Sequence, residues 1–329
     1  MSNSEASSIA HVAMTPLPAQ SPGAQGSARA ASPQALCAEL AGLIEGWTRT
    51  DGRHPTAMPE LTFWRFSHPT APAQVVQAAA VYVVVQGRKQ VVVGGETYAY
   101  DPTRYLAVSL DLPVIANIAE ATPEEPYLCL TLRVDARELA ALIVETGRPA
   151  PRDDQDGRAL FVSALDAPLL NGLVRLVRLL DTPHDIPILA PLVRRELHYR
   201  LLQGEQKGRL AEIAIGDGRL RRVAGALAWI KEHYAEPLRV EDLAKRANMS
   251  ASALHAHFSA VTGVSPIQYQ KQLRLQEARS RLLAGGTSAE AVAYEVGYAS
   301  PSQFSREYAR LFGQPPRRDA DAMRADAAH

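Results

Sequence analysis

The sequence predicts an α+β multidomain chain: an antiparallel β domain with flanking helices, then an all-helical domain. Three observations carry this. Short runs rich in Val and Tyr, separated by Gly and Pro, fill residues of about 60–134. From Leu220 onward apolar residues recur at helical spacing. Within that last third, one pattern of residues occurs twice. At 329 residues the chain suits two domains, and with 47% apolar residues it can bury a core in each.

Residues 1–32 are rich in Ala, Ser, Pro and Gln without periodicity, and read as a disordered tail. A sensor or dimerisation domain is expected over 33–215. It opens with a helix from Pro33 to Trp47, whose stripe is Leu36, Leu40, Leu43, Ile44 and Trp47. Pro33 suits the first turn, where its missing N–H costs nothing. Strands are expected at Leu61–Phe66, Val75–Val85, Gln90–Val93, Tyr105–Ser109, Val114–Ala119 and Tyr127–Arg133. Gly87, Gly94–Gly95, Asp101–Pro102 and Thr122–Pro123 mark the turns, giving a sandwich or small barrel. Asp135 with Glu138 resembles a capping box for a helix that Gly147 ends. A charged, turn-rich loop follows at 149–158. Two helices come next, about Pro168–Leu180 and Ala190–Leu202, the first with an apolar face that could be core or a dimer seam. Gly216–Asp217–Gly218 reads as a linker to a second domain over 220–318, and 319–329 reads as a tail.

The repeat is the most informative feature. Leu254, Phe258, Gly263 and Pro266 recur 50 residues later as Phe304, Tyr308, Gly313 and Pro316. Leu243–Ala244 and Asn248 recur 49 residues later as Val292–Ala293 and Gly297. Asn and Gly tolerate the positive φ of a tight turn between helices. Ser250 and Ser300 suit the N-caps that follow, and Gly263 and Gly313 suit helix ends. A helix, such a turn and a capped second helix make a helix-turn-helix unit. Between the copies, Pro266–Leu283 lacks internal Gly and Pro, predicting a rod of about 27 Å at 1.5 Å per residue. Major grooves on one face of B-DNA recur about every 34 Å.

The charge distribution agrees. Residues 220–318 carry 14 Lys and Arg against 8 Asp and Glu, a surplus of 6 in a chain whose 35 of each sign sum to zero. A basic segment beside an acidic remainder suits a polyanionic partner, here double-stranded DNA. No apolar run approaches the ~18 residues of a membrane span, and no secretory signal opens the sequence. Cys37 and Cys129 are then expected as reduced thiols in a cytoplasmic protein.

These residues resemble the DNA-binding domain of AraC/XylS-type transcription regulators. In the first unit the match is Leu243–Ala244, Ser250, Leu254, Phe258, Gly263, Ser265–Pro266, Tyr269, Arg274–Leu275, Ala278 and Leu282–Leu283. In the second it is Val292–Ala293, Gly297–Tyr298, Ser302, Phe304–Ser305–Arg306, Tyr308, Phe312–Gly313 and Pro315. The first unit departs from the family in holding Ala251, Ala253 and Ala256 where larger polar residues are common. Tyr82–Val85, Gln86–Gly87–Arg88–Lys89, Tyr98, Tyr105, Pro113 and Pro126–Tyr127 are similar to the ligand-sensing domain of an AraC-like subgroup, over roughly 35–200. The resemblance implies an N-terminal cupin-like antiparallel β-barrel followed by helices, used for effector binding, dimerisation or both. It also implies a C-terminal all-α domain with two helix-turn-helix units.

The candidate DNA-contacting residues are Ser252, His255 and Ala256 in the first unit, and Ser302, Ser305 and Arg306 in the second. Arg306 stands out, because Arg to guanine is the commonest specific base contact. Candidate effector-binding residues are Trp64, Tyr82, Cys129 and Arg133. The expected effector is a small, uncharged or weakly polar organic molecule, since strand interiors show few ionisable groups. No metal or other cofactor is expected: between residues 54 and 135 the histidines are His54 and His68, and His255 and His257 diverge on a helix. No catalytic set is expected either, for want of a Gly-rich phosphate loop, a Ser–His–Asp set or Cys-x-x-Cys. The sequence is therefore that of a DNA-binding regulator, with a homodimer and RNA polymerase as further partners. A β domain that only dimerises, or a metal-free cupin-type enzyme fused to a DNA-binding domain, are the alternatives.

Overall fold

The computed structural model describes residues 31–147, 159–204, 210, 218–285 and 287–326. The N-terminal tail up to residue 30, the loop at 149–158 and Gly216–Asp217 lie outside the described residues.

Helix α1 (Pro33–Trp47) begins with Ser32, whose hydroxyl accepts from the Ala35 amide at 3.2 Å. It buries Leu36, Leu40 and Ile44. Ten strands follow: β1 (Gly52–Pro55), β2 (Leu61–Phe66), β3 (Ala73–Gln77), β4 (Ala80–Gln86), β5 (Arg88–Val93), β6 (Glu96–Tyr100), β7 (Arg104–Val108), β8 (Leu112–Glu120), β9 (Tyr127–Leu132) and, after helix α2 (Ala136–Thr146), β10 (Leu160–Ala164). They form two antiparallel sheets, ordered β1-β2-β9-β4-β7-β10 and β3-β8-β5-β6.

The strands extend beyond the expected span of 60–134 at both ends, as β1 and β10 add edges to the larger sheet. The expected strand Val75–Val85 is two strands in different sheets. The chain breaks at Ala78–Ala79, where the Asp111 carboxylate accepts from the Ala79 amide at 2.7 Å. Strand β6 pairs with β5 through the Gly94–Gly95 turn, both glycines at positive φ.

The period of two sorts the larger sheet into two faces. One face, with Phe63, Leu128, Leu130, Val81, Val83 and Tyr105, packs on α1 and on helix α3 (Ala167–Arg178). The other, with Trp64, Tyr82, Val84, Tyr127 and Cys129, faces the smaller sheet. Helix α2 is capped by Asp135, which accepts from the amides of Arg137 and Glu138, and ends at Gly147 with φ 59°. Glu138 does not close the capping box. Its carboxylate turns instead to Arg194 at 3.2 Å and to buried His198 at 2.7 Å on helix α4 (Ile186–Leu201). Helix α3 buries its whole apolar stripe against α1 and α4. It is core, whereas α4 exposes Ile188, Leu192 and Tyr199.

Seven helices complete the described chain: α5 (Gly218–Glu232), α6 (Val240–Arg246), α7 (Ala251–Thr262), α8 (Pro266–Ala284), α9 (Ala289–Glu295), α10 (Pro301–Phe312) and α11 (Pro316–Asp326). The segment 319–329, expected as a tail, begins inside α11. Asp319 accepts from Arg279 at 2.8 and 3.0 Å and from the Tyr308 hydroxyl at 2.8 Å, which holds the helix on α8 and α10. The first helical unit shares its apolar core with the β sandwich, whereas the second has its own around Phe304 and Tyr308. Where the two domains meet, Lys231 pairs with Asp111 and the Tyr269 hydroxyl donates to the Asp111 carbonyl at 3.3 Å. The β5–β6 turn abuts the end of α7: a Cβ on Gly263 would stand 2.7 Å from the Gly94 nitrogen.

Candidate nucleic-acid interface

Two helix pairs, α6–α7 and α9–α10, are built alike. In the first, Asn248 has φ 52° and the Met249 amide donates to Ala244 O at 2.9 Å. In the second, Gly297 has φ 91° and the Tyr298 amide donates to Ala293 O at 2.9 Å. Glycine has a second cause there, because a Cβ would lie 2.1 Å from the Ala235 carbonyl oxygen. Ser250 and Ser300 accept from the amides of Ala253 and Gln303, fixing where α7 and α10 begin. Gly263 and Gly313 close them in the left-handed conformation. Leu254 and Phe258, and Phe304 and Tyr308, are fully buried. A buried side chain of this size contributes about 1.5–3 kcal/mol, so each pair anchors its helix by one face and leaves the other outward.

Helix α8 joins the units. Its 19 residues make a rod of about 28 Å, started by a complete capping box of Ser265 and Gln268. Arg274, midway along it, donates to Tyr234 O at 2.6 Å, Gly297 O at 2.8 Å and Glu236 O at 2.8 Å. One guanidinium thus ties the end of α5 to the turn of the second unit.

The outward residues correspond at the displacement of 50 seen in the sequence. Ser252 and Ser302 are exposed, as are Ala256 and Arg306, and Ala260 and Arg310. His255 is exposed, and its counterpart Ser305 is half-buried. All six expected DNA-contacting residues therefore lie on α7 or α10, on faces turned from the core. Gln303 and Arg310 share the face of α10 and were not among the expected set, although the repeat spacing alone points to both. Gln303 also donates to Glu307, which pairs with Lys271 at 2.8 Å. Where α10 carries two exposed arginines, α7 carries two exposed alanines, so of the two helices only α10 presents cations.

The candidate effector residues separate. Trp64, Tyr82 and Cys129 share the inner face of the larger sheet, and the Trp64 indole donates to Thr131 at 2.9 Å. Burial pushes the Cys129 thiol up to about 11, and nearby Lys89 offsets that in part. At neutral pH it is a protonated, weakly nucleophilic thiol. Arg133 lies elsewhere, beyond the end of β9, donating to Pro59 O at 2.9 Å and lining an open cleft of about 390 Å³ with Glu60, Asp135 and Arg194. Among the described residues, no three His, Cys, Asp or Glu are grouped to hold a metal, and no helix is long and apolar enough to cross a membrane.

Residues 57–209 match the family described as AraC-type transcriptional regulator N-terminus, and residues 243–321 match a helix-turn-helix domain family. The transcriptional activator RhaS of Citrobacter koseri is 26% identical over 273 residues, 81% of this chain and 92% of its own length. RhaS of Escherichia fergusonii is 33% identical over 131 residues, 39% of this chain and 46% of its own. Among solved structures, ToxT K231A of Vibrio cholerae superposes with a TM-score of 0.57 at 13% identity, covering 80% of this chain and 98% of that one, a likeness of fold. A two-sheet N-terminal domain followed by paired helix-turn-helix units on one rod defines a DNA-binding transcription regulator. The chain belongs to the AraC-type transcriptional regulators, with the N-terminal sensor domain of that family.

Proposed function

We propose that this AraC-type regulator is a one-component switch, in which a small molecule bound by the β domain changes how α7 and α10 engage double-stranded DNA. The observation that carries the DNA half is the matched exposure of α7 and α10 at the two ends of a rod comparable to one helical turn of DNA. Ser252, His255, Ala256, Ser302, Ser305 and Arg306 face bases or backbone in this reading, with Gln303 and Arg310 beside them. The effector half is supported by ToxT, whose structures hold an unsaturated fatty acid and (E)-4-(8-methylnaphthalen-1-yl)but-3-enoic acid. The output is a population shift between domain arrangements, changing DNA affinity or contact with RNA polymerase.

The protein acts in the cytoplasm, without catalysis or cofactor, as a homodimer. The dimer reading is supported by the outer face of α4, where Ile188 and Leu192 are 70% and 61% exposed at a spacing of four and Tyr199 lies further along. The decisive experiment is to sequence the DNA that the purified protein retains from a genomic pool. Recovery of one motif with two half-sites about one helical turn apart supports the reading. Retention without sequence preference overturns it.

A further inference from the structure

The two helices that face DNA offer it different chemistry. Along α10, Ser302, Gln303, Arg306 and Arg310 are exposed. Among the described residues neither arginine is held in an ion pair or a hydrogen bond. Glu307 is the one acid within four residues of either along the chain, and it is committed elsewhere. It pairs with Lys271 at 2.8 Å and accepts from the Tyr298 hydroxyl at 2.9 Å. Both guanidinium groups thus keep their donors for a partner. Guanine suits them, because its O6 and N7 both accept in the major groove.

Along α7 the exposed residues are Ser252, His255, Ala256 and Ala260. In the repeat, Ala256 and Ala260 hold the places of Arg306 and Arg310, and half-buried Ala253 holds that of Gln303. Where α10 carries long polar side chains, α7 ends at methyl groups, which neither donate nor accept. The apolar feature that a base pair shows in the major groove is the C5 methyl of thymine. Side chains that stop at Cβ also let a helix lie close to the bases. Such short contacts need a fixed helix, and α7 is fixed more firmly than α10. Its core is continuous with that of the β sandwich, and its end abuts the Gly94 main chain. Helix α10 stands on a separate core, and its arginines have the reach that its alanine counterparts lack.

We propose that the operator is chemically asymmetric: α10 reads a guanine-bearing half-site through Arg306 and Arg310, and α7 reads a thymine-bearing half-site through the methyl groups of Ala256 and Ala260. This rests on the DNA recognition proposed above and adds which bases lie under which unit. It also orients the chain. The β sandwich, which shares its core with the first unit, lies at the thymine end of the operator.

The test uses the full chain and the duplex motif it selects from a random library. Selection with R306A identifies the half-site under α10 as the one in which preference is lost. Replacing a guanine of that half by 7-deazaguanine, which lacks the N7 acceptor, should weaken wild-type binding about tenfold, the scale of a hydrogen bond to a charged group. Replacing a thymine of the other half by deoxyuridine, which lacks the methyl, should weaken it about fourfold, the scale of one buried CH2 group. A256R should move preference at one base pair of that half from thymine towards guanine. The two base analogues act on wild type, so their result stands whatever the stability of the variants. A half-site under α7 that is indifferent to deoxyuridine, or that needs guanine N7, overturns the asymmetry and leaves DNA recognition standing. So does a motif unchanged by R306A, or a thymine preference that survives A256R. The absence of any selected motif overturns DNA recognition and the asymmetry together.

Discussion

At the scale of residues, the two units differ in what their outward faces can recognise. Arg306 is exposed on α10 and its counterpart is Ala256. Arg306→Ala should weaken binding to a cognate site by about 1–3 kcal/mol and relax preference at one base pair. Equal losses on cognate and random DNA in a mobility-shift titration would assign the arginine to phosphate. Gly297 answers to two constraints, φ 91° and the Ala235 carbonyl. Gly297→Val should lower the melting temperature sharply, whereas Asn248→Gly, at φ 52°, should be nearly neutral. Both turns were legible in the sequence, because Asn and Gly hold equivalent places in the repeat. The contact with Ala235 was not, since it is made by a residue 62 positions upstream of Gly297.

At the scale of elements, what could be read depended on whether the cause was local. Helix α1, strand β2 and the N-cap serines follow from nearby residues and lie where the periodicity puts them. The break between β3 and β4 does not. Residues 75–85 carry no Gly or Pro, and the interruption is held by Asp111, 32 residues from Ala79. Strands β1 and β10 are edges whose pairing gives little signal in their own composition. Helix α11 is rich in Ala, Asp and Arg and resembles a solvated tail until Arg279 and Tyr308 meet Asp319. The outward face of α10 was legible from the repeat, whereas the inward turn of Lys89 needed the pairing of β5 with β6 and β8. A practical consequence concerns truncation. A fragment spanning 218–326 should melt at a higher temperature than one ending at 318, which lacks Asp319 and leaves Arg279 unpaired. Equal melting temperatures would show that α11 adds nothing to the fold.

At the scale of the whole molecule, charge and cohesion divide the chain differently. The surplus of basic residues sits in the C-terminal third, so DNA affinity should fall steeply as salt rises and condensed counterions cease to favour binding. An affinity unchanged between about 50 and 200 mM salt would exclude a phosphate-dominated interface. Cohesion is shared otherwise: the first helix-turn-helix unit contributes to the core of the β sandwich, while the second keeps a core of its own. The second unit is therefore the more independent of the two, and it is also the one whose second helix carries Arg306 and Arg310.

The approach of Gly94 to Gly263 has a consequence for modularity. At the tip of the β5–β6 hairpin two main chains meet with no room for a side chain on Gly263. That hairpin also carries Lys89 and Tyr100 on its two strands. A chimaera that grafts another family member's sensor onto this DNA-binding domain would inherit a different hairpin tip. A longer turn would push the graft away from the end of α7, whereas a Cβ in the place of Gly94 would stand 3.5 Å from the Gly263 Cα, an ordinary contact. Exchange of sensors is thus limited by a backbone fit at one turn as well as by the linker.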